Sequence, residues 1–286
     1  AVRDRDEQRI AADTRIDDCL QQSGYGERFI EHYIGPMGAA IWSMSLADML
    51  TFPLQFFVRF FKNHGLLSVS NRPQWRVIEG GSSAYVKPLS AGFADRIHLN
   101  CPVTQVERYE QGVLIHTAAG VERFDKVIFA CHSDQALALL AQPSTAEKEI
   151  LGALPYADND VVLHTDTRLL PDRKLAWASW NYRLGSAVQK RAAVTYNMNI
   201  LQGIQSETTF CVSLNQTSAI DPLTVLASFT YAHPQYSLQG IAAQARWQEL
   251  LGANNSYFCG AYWANGFHED GVVSALRVTN AFGHRL

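Results

Sequence analysis

Cysteine is scarce and scattered in this 286-residue chain: Cys19, Cys101, Cys131, Cys211 and Cys259 lie far apart, and no two form a CxxC pair. An odd number at wide spacing fits reduced thiols in a cytoplasmic protein rather than a disulfide framework. HExxH is missing as well. The nearest thing to a ligand pair, Cys131-His132, is read as strand-end packing, because sequence neighbours point to opposite faces of a strand; no metal site is expected. No apolar run reaches the roughly 18 residues of a membrane-spanning helix. The charged start, Ala1-Val2-Arg3-Asp4-Arg5-Asp6-Glu7, has no apolar region of the signal-peptide kind. Basic residues form no long run and the formal net charge is -3, so nucleic acid is not an expected partner. Three catalytic signatures are missing too. "GGSSAY" does not have GxSxG spacing, no P-loop occurs, and "GYGERF" puts Phe29 at the third glycine position of a dinucleotide fingerprint with no strand before it.

Hydrophobic residues are plentiful at 47%, enough for one sizeable core or two modest ones. The first part of the chain reads as helical: residues 6 to 22, then 27 to 34 ending at Gly35-Pro36, then Ala39 to Phe61 with a break at Pro53. In the last of these, Phe52, Phe56 and Phe60 recur every four residues and Phe57 and Phe61 make a second row. Such rows pack into a core, line a channel for a bulky apolar substrate, or dock on a membrane. After Leu66 the pattern turns to short β-rich runs: Ile97 to Leu99, Val103 to Tyr109, Val113 to Thr117 and Phe124 to Ala130. "FDKVIFAC" reads as a strand buried on both faces. A helix from Ser133 to Ala141 follows, with Ser133 as N-cap. More strand-like segments run from Val161 to about Phe229. Then come a helix from Ile241 to Leu250 and the stretch "NNSYFCGAYWANGFHEDGVVSALRVTNAFG". The mixture implies two interleaved α/β (α+β) domains.

That last stretch carries the most chemistry. A buried strand, Ser256 to Cys259, should emerge at Gly260, and Gly271 should open a helix closed by Gly283. A helix N-terminus presents free N–H groups and partial positive charge, and glycines let a flat or anionic ligand approach the backbone. Glu269 and Asp270 fit either ligand contact or a simple carboxylate cap. The segment resembles the C-terminal flavin-binding motif of the flavin-containing amine oxidase superfamily. Beyond it, "YIGPMGAAIWS", "RFFKNHGLLSVSNRPQWRVIEGGSSAYVKPL", "VIFACHSDQALALL", "WASWNY" and "TYNMNILQG" extend the likeness to a bacterial branch of NAD/FAD-binding, amine oxidase-like proteins.

The resemblance implies an FAD-dependent oxidoreductase moving a hydride equivalent from a C–N or C–C bond to the flavin. It implies a partial, Rossmann-like FAD-binding domain interleaved with a substrate domain of helices plus an antiparallel sheet. The implied division is 1–64 and 133–251 for the substrate domain, 65–132 and 252–286 for the flavin-binding portion. Gly271 and Val272, behind Glu269 and Asp270, would lie against the isoalloxazine. Gly260 would sit beside the ribityl and pyrophosphate, and Ala261 stands where relatives carry an acid that holds the ribityl chain. Val103 matches the position that meets the adenine, and Gly80-Gly81 a glycine pair near the flavin, with Arg76 by the substrate entrance. Phe267 would be one wall of an aromatic cage, Trp263 its neighbour, and Trp180, Tyr182 and Tyr196 candidates for the other wall; no catalytic acid or base is assigned. The expected substrate is a small amine or apolar molecule. The alternatives are a lipid or isoprenoid desaturase, favoured by the phenylalanine rows and by the lack of an obvious amine-steering carboxylate, and a catalytically silent fragment. Relatives begin with a strand, a GxGxxG loop, a helix and an acid for the ribose, which this sequence does not have. The expectation is therefore weak FAD binding by the sequence as written, and self-association through an unpaired edge of "KVIFA".

Overall fold

The computed structural model describes residues 10–284 except 12, 69, 71–72, 75 and 185–192. Its α-helices are α1 (Ile16–Gln22), α2 (Glu27–Phe29), α3 (Gly35–Trp42), α4 (Leu46–Leu50), α5 (Leu54–Asn63), α6 (Val86–Ser90), α7 (Ser133–Leu139), α8 (Thr145–Gly152), α9 (Met198–Gln202), α10 (Leu238–Ala245) and α11 (His268–Ala281). Its strands are β1 (Val103–Tyr109), β2 (Gly112–Thr117), β3 (Gly120–Phe124), β4 (Val127–Phe129), β5 (Tyr156–His164), β6 (Trp180–Tyr182), β7 (Val194–Asn197), β8 (Cys211–Leu214), β9 (Val225–Pro234) and β10 (Ser256–Phe258). Contacts divide the chain into two units, one of Ala1–Ala94 and Ala157–His233, the other of Asp95–Tyr156 and Pro234–Leu286. Helix and sheet are mixed and the units interleave, as the sequence implies. The breaks fall at Ala94, Tyr156 and His233 because α7, α8 and α10 give Ala136, Ile150, Leu151 and Ala243 to the core beneath β1 and β2.

In the first unit the phenylalanine rows are core. Phe52, Phe56, Phe57, Phe60 and Phe61 are at most 3% exposed. Trp42 of α3 stacks on Phe52 at 4.5 Å and meets Phe60 edge-on at 4.9 Å. Each such ring contributes about 1.5–3 kcal/mol by burial, and none is left to line a channel or meet a membrane. The helix expected to stop at Gly35-Pro36 continues: a π turn, Ile30–Ile34, joins α2 to α3. Proline has no N–H and its ring crowds the carbonyl four residues back, and the wider turn relieves that crowding. The first helix starts at Ile16, later than expected: residues 10, 11 and 13–15 are not helical, and Arg15 is the extended N-cap; residues 6–9 and 12, also expected in it, lie outside the described residues.

The same unit carries a sheet of order β6-β7-β8-β5-β9. Antiparallel register sets Trp180 opposite Tyr196 and Tyr182 opposite Val194. It sets Thr195 opposite Ser213, which is opposite Val162. Side chains alternate along a strand, so the aromatic set faces one way and Thr195, Ser213 and His164 the other.

In the second unit β1, β2 and β3 form an antiparallel meander, and β4 pairs with β10 in parallel. Phe129 stacks on Phe258 at 5.0 Å over the core. "FDKVIFAC" is not buried on both faces: Ile128 is 48% exposed, while Val127 and Phe129, on the other face of β4, meet the core. Ile97 to Leu99 forms no strand. Ser133 is not the N-cap of α7: His132 takes that place, and the Ser133 hydroxyl donates to the Leu154 carbonyl at 3.1 Å. Helix α8 begins with a capping box in which Ser144 Oγ accepts the Glu147 N–H and Glu147 Oε2 the Ser144 N–H. Among the described residues no helix is long and apolar enough to cross a membrane.

Candidate functional site

Parallel strands side by side bring their C-terminal ends to one edge, where ligands of α/β folds bind. Here β4 runs through Cys131-His132 directly into α7, whereas β10 runs through Cys259-Gly260 into a longer loop before α11. Gln244, Asp270 and Ser274 fix that loop. Gly260 donates its N–H to Ser274 Oγ at 2.8 Å, and the same hydroxyl donates to the Gly271 carbonyl at 2.8 Å. Asp270 Oδ2 accepts the N–H of Phe267 at 2.9 Å and of Asn265 at 3.1 Å. Gln244 donates to the carbonyls of Tyr262 and Ala264.

The carboxylate of Asp270 decides where the helix starts. By accepting the Phe267 N–H it makes Phe267 the N-cap and His268 the first helical residue. Gly271 therefore does not open α11: its N–H donates to the Phe267 carbonyl at 3.2 Å and is not turned outward. The amides that precede the first intrahelical bond are those of His268, Glu269 and Asp270. The backbone is nevertheless open at Gly271, where an added Cβ would meet nothing nearer than the Ala261 nitrogen at 3.9 Å.

Two glycines of the loop have reasons inside the chain. Gly260 is extended, and a Cβ there would come within 2.7 Å of Tyr262 Cδ1. Gly266 has φ +92°, and a Cβ there would stand 2.6 Å from the Tyr236 hydroxyl. Tyr262 is buried, and burial holds its phenol far above the ordinary range. Burial likewise pushes Tyr156 up to about 12.

The junction thus brings together Gly260, Ala261, Phe267, Glu269, Asp270, Gly271 and Val272. Phe267 is half-buried, Glu269 and Val272 are exposed, and Asp270 is committed to the cap. Trp263 is a core residue: its indole N–H donates to the Phe258 carbonyl at 3.0 Å and its ring packs with Phe129, Phe258 and Leu250. Val103 stands at the exposed start of β1 opposite Thr117. In the first unit Arg76 is exposed, and Gly80 and Gly81 turn the chain with φ of +78° and +82°. There too Trp180 and Tyr196 meet edge-on at 5.4 Å, while Tyr182 and Tyr196 pack on Ala39, Ala40 and Val194. Burial raises the pKa of both tyrosines.

Sequence reasoning missed Gln244, Ser274 and a buried network around His164. None sits in a recognisable motif, and each acts on residues distant in the chain. The capping pattern of Asp270 on Phe267 was legible, but its consequence for Gly271 was not drawn.

The profile of the family described as flavin containing amine oxidoreductase matches residues 6–196, about two-thirds of the sequence. The chain belongs to that family. Its fold is shared with cyclohexylamine oxidase from Brevibacterium oxydans IH-35A at TM-score 0.63 and 11% identity, over 99% of this chain and 71% of that one. A putrescine oxidase double mutant gives TM-score 0.67 and 12% identity, over 99% of this chain and 70% of the other. A CLA-producing fatty acid isomerase from P. acnes gives TM-score 0.63 and 13% identity, over 96% of this chain and 69% of the other. No curated protein matches the chain.

The junction fits one part of a flavin. An isoalloxazine ring offers acceptor atoms along one edge and needs N–H donors and room for a flat group. The first-turn amides of α11 and the open side of Gly271 meet both needs. Glu269 and Asp270 add negative charge at the same place, which opposes a phosphate.

Proposed function

We propose that the protein is an FAD-dependent oxidoreductase that removes a hydride equivalent from a small amine. The observation that carries the reading is the start of α11, with three amides free of intrahelical partners beside an open glycine, in a chain of this family. When bound, the flavin supplies the two-electron acceptor. The chain's own contribution is electrostatic and steric. The N–H groups of His268, Glu269 and Asp270 favour negative charge developing on the ring edge, and Gly271 with Val272 leaves space for its face. Gly260 and Ala261 would flank the ribityl chain, while Gly80, Gly81 and Val103 would carry the remaining cofactor contacts that the family resemblance assigns.

On the substrate side Phe267 offers an apolar wall at the helix start. Trp180, Tyr182 and Tyr196 offer an aromatic sheet face suited to an amine or apolar molecule, and Arg76 is the residue that the resemblance puts by the substrate entrance. A lipid or isoprenoid substrate was suggested by phenylalanines 52 to 61; these are core, which favours the amine. The protein is expected in the cytoplasm.

The test is spectroscopic. The full-length protein is purified and examined for the flavin band at about 450 nm, then mixed anaerobically with a panel of primary and secondary amines. Bleaching of the band by one or more amines is expected. A protein that takes up no FAD, or a bound flavin that no amine bleaches, overturns the reading.

A further inference from the structure

We propose that Gln244, the penultimate residue of α10, is the positioning residue of the β10–α11 junction and thereby of the flavin site; this rests on the flavin reading above. Its side-chain NH₂ group donates to the Tyr262 carbonyl at 2.7 Å and to the Ala264 carbonyl at 2.8 Å. The orientation of the amide follows from chemistry, since the flipped form would set an oxygen against two carbonyl oxygens. The two peptide groups behind these carbonyls are held at their far ends too. The Trp263 N–H donates to the Gly260 carbonyl at 3.3 Å, and the Asn265 N–H to Asp270 Oδ2 at 3.1 Å. A planar peptide fixed at both its C=O and its N–H cannot rotate without breaking both bonds. Gln244 therefore ties α10 to the loop, and through the 264–265 peptide it ties the loop to the carboxylate that starts α11.

The consequence is direction. The first-turn amides of α11 point where Asp270 and the Asn265 peptide hold them, and that peptide is anchored on Gln244. The side chain is 9% exposed, so water does not readily replace its two bonds. A residue that only filled space here would take the donor from the buried Tyr262 carbonyl and from the partly buried Ala264 carbonyl. A cationic donor would add charge beside a site that has to tolerate a ring whose charge changes.

Hydrogen exchange on the native protein tests the geometry without reference to flavin. The amides of Trp263 and Asn265 are expected to exchange slowly in the wild type and at least about tenfold faster in Gln244→Met. Gln239→Met, an exposed change on the same helix, leaves them unchanged. In the flavin assay Gln244→Met binds FAD at least about tenfold more weakly and shifts its reduction potential, while Gln239→Met matches the wild type. A folded Gln244→Met with wild-type affinity and potential overturns the proposal, and so does fast exchange of both amides in the wild type. Should the methionine variant not fold, Gln244→Glu takes its place: it keeps the shape and regains one donor on protonation. FAD affinity that rises as pH falls supports the proposal, and wild-type affinity at every pH overturns it. A wild-type protein that binds no flavin removes the flavin reading, and the exchange rates then still decide whether Gln244 holds the loop.

Discussion

Two regions bury polar side chains, and they use them differently. In the sheet of the first unit, His164 Nδ1 accepts the Asp166 N–H at 3.1 Å, which leaves Nε2–H to donate to Ser213 Oγ at 2.8 Å. Ser213 in turn lies 2.8 Å from Thr195 Oγ1, which accepts from Gln216 Nε2 at 3.2 Å. The bonds run in a line from the Asp166 amide to Gln216 Nε2 and stay within the first unit, where Gln216 Oε1 is left over. In the junction of the second unit, Gln244, Asp270 and Ser274 consume carbonyls and amides of the loop and stop short of the first-turn amides of α11. A network that spends its donors internally makes a rigid wall. One that leaves a row of donors pointing out of a rigid frame makes a place for a ligand.

The largest expected effect comes from striking the junction at Gly266. Its left-handed backbone and the Tyr236 hydroxyl both exclude a side chain, so Gly266→Val is expected to cost about 3 kcal/mol. FAD affinity falls with it. Thermal melting with and without FAD checks both, and a variant of normal stability would show that the loop is looser than these contacts imply.

Ser213→Ala is the matching strike on the sheet. It leaves the His164 Nε2–H and the Thr195 hydroxyl without this partner in a buried place, at about 1–3 kcal/mol. Here FAD affinity of the folded protein is expected to stay at the wild-type value. Loss of affinity in step with stability would erase the distinction between the two regions.

The sheet network also has a pH signature. Burial lowers the pKa of His164, opposed in part by Asp166, so the unfolded chain takes up the proton first. The stabilisation from neutral His164 is complete above the unfolded value of 6.5 and is lost as pH falls from there through the lower folded value. Asp166 adds to this further down, because the Arg168 guanidinium holds its carboxyl well below the usual range. His164→Gln keeps one donor and one acceptor but cannot titrate. The wild type is expected to lose melting temperature below about pH 6.5 more steeply than this variant. Equal slopes would mean that His164 is not the titrating group.

What the sequence revealed divides along the same line. The strand at Ser256, the glycine at 260 and the closing helix were legible because strand, breaker and helix period are local signals. The family likeness was legible for the same reason. The helical period of the phenylalanines was read correctly, but period alone does not tell a core face from a channel wall; Trp42 decided that. In the sequence alone, Gly271 is a more conspicuous helix start than the carboxylate at 270. The structure reverses that order, since an oxygen accepting two loop amides gives a start signal that a missing side chain does not. Gln244 was invisible because a glutamine near the end of a helix has no local signature, and the carbonyls it meets follow only after a strand and a turn.

The smallest effect separates folding from function at one residue. Gly271 lies inside α11 with helical backbone geometry, and a Cβ has 3.9 Å of clearance to its nearest neighbour. Glycine in a helix interior costs about 0.5–1 kcal/mol relative to alanine, because the unfolded chain has more freedom to lose. For the ligand-free protein, Gly271→Ala is therefore expected to be stabilising by about that amount. Only a ligand lying against this backbone gives the missing side chain a use. If the flavin ring lies there, the added methyl weakens FAD binding while the ligand-free protein melts higher, so the two measurements move in opposite directions. A variant that melts higher and binds FAD as tightly as the wild type would place the ring elsewhere. A variant that melts lower would show that the space beside Ala261 is already filled.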